Sequence, residues 1–223
     1  MTRAKQLWEE FGLSLFIETV RAIRRVRPNA KISWYELINR RYWNGYDSID
    51  GDAHRRMNDR LLPLFRELDF LVISIYQFYA SGVDTNGWPY AEGSPEVAWP
   101  NTHFEANRNY VHNNVREAQR LAARVGGKRV MAYAWHRYHN ASHSSAAYRG
   151  VRKPDLFVQL IYPLLLGVDY VTLWSSETGG LQNSTYTSMQ TYLDTEIAPM
   201  TDAYCAEDLS PYQPIINLLP TLN

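Results

Sequence analysis

Residues 111–135 read VHNNVREAQRLAARVGGKRVMAYAW, and this stretch decides the fold class. Val111, Val115, Ala118, Ala122 and Val125 recur at steps of four, three, four and three, the spacing of one apolar helix face. Gly126-Gly127 supplies residues at ease in the left-handed backbone where helices commonly end. Arg129 to Trp135 then reads as a strand, entered by a very short turn and left by a long polar loop. Helix, short turn, strand and long loop together are the repeating half of an α/β protein.

Working outward, the same unit recurs. Upstream, Phe70 to Tyr76 is an apolar run with the character of a strand covered on both faces, and the spacing predicts a helix over 53–67 before it. Phe16, Val20 and Ile23 mark a first helix from Ala4 to Val26, stopped by Pro28, and Lys31 to Tyr35 reads as a short strand. Downstream, a helix begins near Pro154, kinks at Pro163 and ends at Gly167; Asp169 to Trp174 is a strand, and Tyr186 to about Cys205 the last helix. Crossovers of this length imply parallel strands. The long loops leave the carboxyl ends of the strands, the side on which such sheets carry chemistry. Four strand-helix units do not close an eight-stranded barrel, so the chain is either a small open sheet or half a barrel. No G-x-G-x-x-G or G-x-x-x-x-G-K-[ST] opens any helix, which disfavours a nucleotide-binding sheet.

Charge removes several partners. The 223 residues carry 23 basic and 23 acidic side chains, so neither a nucleic-acid face nor a polybasic membrane anchor is expected. The apolar run Leu160 to Val168 is broken by Pro163 and Gly167, far short of the roughly twenty residues of a spanning helix. Met1 to Glu10 carries two acids and no apolar stretch, unlike a leader. A single cysteine, Cys205, excludes an internal disulfide. The 16 Tyr and 7 Trp suit a core, and equally suit stacking on sugars.

Those aromatics gather at strand ends: Trp34-Tyr35, Tyr76, Tyr133 with Trp135 and Tyr138, and Trp174. At the mouth of a barrel they would line a cleft with flat faces and hydroxyls, as a polysaccharide site requires. Glu36 follows Tyr35 and Glu177 lies three residues past Trp174, so the two could face one cleft as acid and base of a glycosidase. His136, His139 and His143 fall within eight residues, but their spacing matches no metal motif and no metal or cofactor is expected. His54, His103 and His112 are isolated. Asn140-Ala141-Ser142 and Asn183-Ser184-Thr185 would accept glycans in a secreted protein. Of the basic residues 19 are arginines, suited to uronic-acid carboxylates, though most sit on helices.

A set of short motifs resembles the second half of the hyaluronidases of glycoside hydrolase family 56. They are Arg27-Pro28-Asn29-Ala30 with Ser33-Trp34-Tyr35, Asn58-Asp59, Ile73-Ser74-Ile75-Tyr76, Arg116-Glu117-Ala118-x-Arg120, Val130 to Tyr138, Leu166 to Trp174, and Tyr192-Leu193 with Ile197-Ala198-Pro199. Together they cover about Phe11 to Thr201. The resemblance implies a (β/α) barrel of the TIM kind, of which this chain supplies roughly the last four units. It implies hydrolysis of β-1,4 links in hyaluronan or chondroitin, with the substrate's acetamido oxygen as nucleophile and a Glu of an Asp-x-Glu pair as acid. By the same resemblance Tyr35 and Tyr76 orient the acetamido group, Trp174 packs on its methyl, and Trp135, Arg137 and Tyr42 bind substrate. The partner is a glycosaminoglycan and the location secreted or lysosomal. No D-x-E precedes Tyr35, so the resemblance places the acid upstream and makes this chain a barrel's carboxyl-terminal part, inactive by itself. The family's cysteines after Tyr35 and before the last helix are missing, and Ile73 replaces its usual proline. Two alternatives stay open: a glycan-binding α/β protein without hydrolysis, and a glycosidase acting through Glu36 and Glu177.

Overall fold

The computed structural model describes residues 3–38, 46–82, 103–139, 149–174 and 189–220. Helix α1 runs Arg3–Val26, α2 Ile49–Asp59 and α3 Leu62–Glu67, followed by strand β1, Phe70–Ser74. Then come α4 (His103–Arg124), β2 (Arg129–Trp135), α5 (Lys153–Leu160), α6 (Tyr162–Leu165) and β3 (Tyr170–Trp174). The chain closes with α7 (Met189–Tyr192), a wide π turn over Leu193–Ile197, α8 (Ala198–Cys205) and α9 (Gln213–Ile216). Among the described residues no helix is long and apolar enough to cross a membrane.

The three strands form one parallel sheet in the order β1-β2-β3. Phe70 lies opposite Arg129, and Trp135 opposite Trp174. Helix α4 packs on β1 and β2, α5 on β2, and α6 on β3. The predicted apolar face of α4 is the buried one: Val111, Val115, Ala118, Ala122 and Val125 are all in the core, facing Val130, Ala132 and Ala134 of β2. Burying each such valine contributes about 1.5–3 kcal/mol, so this interface carries much of the fold's apolar stabilisation. Along β2 the alternate residues Met131 and Tyr133 are only half-buried, so the sheet has one closed face and one partly open face. β3, an edge strand of the sheet, is exposed at Tyr170 and Trp174.

The expected first strand is corrected. Lys31 to Trp34 forms no strand and joins the start of β1 through few bonds: Asp69 N–H donates to Ile32 O at 2.9 Å, and Ile32 N–H to the Asp69 carboxylate at 2.8 Å. One residue on, the Ser33 hydroxyl, not a backbone amide, donates to Phe70 O at 2.7 Å. A side chain that satisfies the backbone carbonyl competes with the ladder, and the chain then turns at Tyr35-Glu36, with Glu36 at φ 58°. The predicted helix over 53–67 is two helices, because Pro63 at the start of α3 cannot continue the bonding of α2. The kink expected at Pro163 is present: α5 stops at Leu160 and α6 resumes at Tyr162.

Two buried polar clusters tie helices and loops together. The Glu117 carboxylate of α4 accepts from Asn58 Nδ2 at 2.7 Å, Tyr46 OH at 2.9 Å and Arg120 Nε at 2.8 Å, and Arg120 also reaches Asp59 at 2.8 Å. The Asn58-Asp59 and Glu117-x-x-Arg120 motifs therefore clamp α2 to α4. At the carboxyl ends of the strands, buried Asp155 accepts from Ser81 N at 2.8 Å, Ser81 Oγ at 2.5 Å, Asn107 Nδ2 at 2.8 Å and Tyr138 OH at 2.6 Å. One carboxylate thus fixes the loop leaving β1, the loop leaving β2, α4 and α5.

Candidate functional site

The strand-end aromatics converge. Tyr35, Tyr76, Tyr133, Trp135, His139 and Trp174 line one cavity of about 360 Å³ on the open face, at the carboxyl ends of β1, β2 and β3. Tyr76 is its centre. Its ring stacks on Trp174 (centroids 6.1 Å apart, planes 19° apart) and on His139 (6.3 Å, 23°), and meets Trp135 at 5.6 Å. The two indoles lie 5.2 Å apart, and Tyr35 meets Tyr133 edge-on at 5.4 Å. Each aromatic pair contributes about 0.5–1.5 kcal/mol beyond its buried area, so the walls brace one another before any ligand arrives. Tyr76 and Trp135 are nearly buried, while Tyr35 and Trp174 remain 46% and 39% exposed and form the accessible rim.

Backbone bonds hold this rim. His139 N–H donates to Gln77 O at 2.8 Å, joining the two loops beside the cavity. Beyond β2 the chain pairs with itself: Val151 N–H donates to His136 O at 3.0 Å and Tyr138 N–H to Arg149 O at 2.9 Å, with an antiparallel bridge between Arg137 and Gly150. The Tyr138 hydroxyl, in turn, donates to Asp155. Burial, aided by the neighbouring Asp155 charge, pushes the Tyr138 hydroxyl well above its ordinary range, so it stays a donor.

Tyr35, Tyr76, Trp135 and Trp174, predicted as site residues, are brought together. Arg137 is placed differently: it is 2% exposed, with its guanidinium 5.5 Å from the Trp135 ring, and backs the wall without lining it. Glu36 lines a separate, larger groove of about 780 Å³ with Trp8, Phe16, Met57 and Arg60, between α1 and the α2–α3 pair. A pairing with Glu177 inside the aromatic cavity is not supported by that placement, and Glu177, Tyr42, Asn140, His143 and Asn183 lie outside the described residues. Trp34 packs edge-on against Phe16 of α1 at 4.9 Å and belongs to the core side. Tyr133, expected at the cleft only as one of the strand-end aromatics, lines the cavity as well, and His139 joins it without a sequence expectation of its own. Strand alternation from Trp135 puts Tyr133 on the same face, a signal that was available; for His139 only its place in the histidine-rich loop hinted at it.

No carboxylate lines the cavity among the described residues, and no three His, Cys, Asp or Glu side chains there group as a metal set. The site offers apolar ring faces with phenol hydroxyls, indole N–H groups and one imidazole. Such a surface grips the C–H face of a sugar and hydrogen-bonds its hydroxyl and amide edges.

No protein-family model matches the sequence, and no curated protein matches it. Among solved structures, bee venom hyaluronidase in a monoclinic crystal is similar over 88% of this chain and 56% of its own, with TM-score 0.61 and 21% identity. Bee venom hyaluronidase in complex with a hyaluronic acid tetramer matches over 89% of this chain and 54% of its own, with TM-score 0.62 and 21% identity. The chain spans little more than half the length of the solved structures it matches. Its fold is similar to that of part of a hyaluronidase.

Proposed function

We propose that the chain supplies the carboxyl-terminal half of a hyaluronidase-like glycoside hydrolase, and that its aromatic cavity seats an N-acetylated sugar of a glycosaminoglycan. The observation that carries this reading is the convergence of Tyr35, Tyr76, Trp135 and Trp174 on one cavity at the carboxyl ends of three parallel strands. A neighbour of the same fold crystallised with a hyaluronic acid tetramer supports the substrate class. On this reading the remaining strands of a (β/α) barrel, with an Asp-x-Glu acid, extend the sheet from its edges so that the open face becomes the barrel interior, and the protein is secreted or lysosomal.

In the reaction the acetamido carbonyl oxygen attacks the anomeric carbon while the bond to the leaving oxygen breaks and the acid protonates that oxygen; water then opens the cyclic intermediate. The cavity's residues do the positioning. The Tyr35 and Tyr76 hydroxyls donate to or orient the acetamido group, and Trp174 covers its methyl, so the nucleophile is held within reach of the carbon it attacks.

Among the described residues the lining holds no carboxylate, which favours a second reading, a glycan-binding protein without hydrolysis. Titrating the chain with hyaluronan tetramer and with N-acetylglucosamine tetramer, followed by tryptophan fluorescence, tests the shared claim. Saturable quenching that disappears in Trp174→Ala is expected, and no response to either sugar would remove both readings. Reducing ends released from hyaluronan by the intact protein separate hydrolase from binder. The third reading, a Glu36 and Glu177 glycosidase, is retired by an unchanged rate in Glu36→Gln.

A further inference from the structure

His136 is the first residue beyond β2 and is fully buried. Its Nε2 faces Arg137 Nε at 3.1 Å and its Nδ1 faces the Trp174 carbonyl at 3.4 Å. The guanidinium can only donate, so Nε2 is the acceptor and carries no proton; the ring's single hydrogen sits on Nδ1 and points at Trp174 O. This side-chain bond extends the β2–β3 pairing past its last backbone pair, Trp135 opposite Trp174. Arg137 in turn lies over the Trp135 ring. One imidazole therefore connects both indole walls of the cavity, Trp174 directly and Trp135 through Arg137.

We propose that His136 is a positioning residue that sets the spacing of the Trp135 and Trp174 walls, and that it does so only as a neutral imidazole. Protonating Nε2 would break the Arg137 bond and place two cations side by side in a dry site. Burial first, and the Arg137 charge second, hold the His136 pKa down to about 4. Among the described residues Arg137 is the charged group that faces the ring. From β3 it meets the Trp174 carbonyl, and the Val151 amide donates to its own carbonyl. On the α5 side, Gln159 bonds Trp135 N and Asp155 is engaged by Tyr138. The wall spacing should hold at neutral and mildly acid pH and fail as the pH falls through the His136 value.

For its ligand, this inference rests on the sugar reading of the cavity; its ligand-free readout does not. The probe is N-acetylglucosamine tetramer, which carries no titrating group. Wild-type affinity is expected to stay level in mildly acid buffer and to fall about tenfold or more, with a midpoint of about pH 4. His136→Phe keeps a ring but neither bond, and should bind about tenfold more weakly with a flat profile over that range. His136→Asn can keep the Trp174 bond and should recover part of the loss. The same pH profile in wild type and His136→Phe, with unchanged circular dichroism, would overturn the proposal. If the tetramer binds at no pH, the sugar reading fails while ligand-free emission still decides the His136 role. The Trp174 signal, taken as wild type minus Trp174→Phe, should shift with a midpoint of about pH 4; a signal level through that pH, or one that also shifts in His136→Asn with the wild-type midpoint, overturns it.

Discussion

Asp69 stands to Ile32 as Asp169 stands to Val130. Each aspartate immediately precedes a strand, its carboxylate accepting the partner's N–H at 2.8 Å and its own N–H donating to the partner's carbonyl, at 2.9 Å for Asp69 and 3.1 Å for Asp169. The pair of bonds sets where one strand starts against the next. Asp69 does more, since it also holds Arg24 of α1 at 3.0 Å.

Asp69→Ala and Asp169→Ala are each expected to cost about 1–3 kcal/mol in urea unfolding at neutral pH. For Asp69 the effect depends on pH. Burial pushes its carboxyl up, but the Ile32 N–H bond with Arg24 and Lys31 wins and holds it below the usual carboxylate range. A lowered folded value gives stability that is complete above the unfolded value and lost as pH falls through the folded one. The gap between wild type and Asp69→Asn should therefore shrink in strong acid; a constant gap would contradict the assignment.

Asp155 behaves in the opposite sense. Its four donors favour the anion, yet complete burial outweighs them and raises its pKa. A raised folded value means that this group's contribution is greatest below the unfolded carboxylate value and declines as pH rises through the folded one. Wild type should lose stability over that rise relative to Asp155→Asn, whose amide does not titrate. Tyr138→Phe removes one donor from the buried group and should cost about 1–3 kcal/mol, while loosening the loop that carries His139.

Gly167 ends α6 at φ +86°, where a side chain is strained, and a Cβ there would sit 3.4 Å from Gln119 Nε2. That amide caps the Leu166 carbonyl at 2.6 Å. Gly167→Ala should lower the thermal midpoint by the equivalent of about 1–2 kcal/mol. Sugar binding should be unchanged, because the position lies at the amino-terminal end of β3, away from the cavity.

In the intact protein, Tyr35→Phe, Tyr76→Phe and Trp174→Ala should lower kcat more than they raise KM, since they place the nucleophile. A loss of about 100-fold in kcat is the expected scale for a misplaced nucleophile. Steady-state kinetics on hyaluronan give the split, and wild-type values in all three variants would remove these residues from the site.

Where burial and backbone chemistry agree, the fold was legible. β2 spans Arg129–Trp135 as read, because a two-glycine stop and an alternating apolar face both mark it. Lys31 to Tyr35 has β-like composition, but composition says nothing of the Ser33 hydroxyl that takes a ladder carbonyl. The break between α2 and α3 follows from Pro63, which outweighs a continuous helical period. Five cavity residues, Tyr35, Tyr76, Tyr133, Trp135 and Trp174, are legible as aromatics at strand ends. Arg137, expected to bind substrate, instead lies over the Trp135 ring, and no spacing rule says whether a long cation faces a cleft or folds back over a neighbouring indole.

The parallel sheet also governs how the molecule reaches its native state. Every ladder contact joins residues several dozen positions apart, Phe70 to Arg129 and Met131 to Tyr170, with a helix to be docked between them. Loop closure must be paid before any strand pair rewards it, so few strand contacts can form early and the helices must organise first. Refolding should be slower than for a helical bundle of this size, and α4, whose apolar face meets both β1 and β2, is the natural nucleus. Substitutions that thin that face, such as Val115→Ala, should slow refolding more than they speed unfolding.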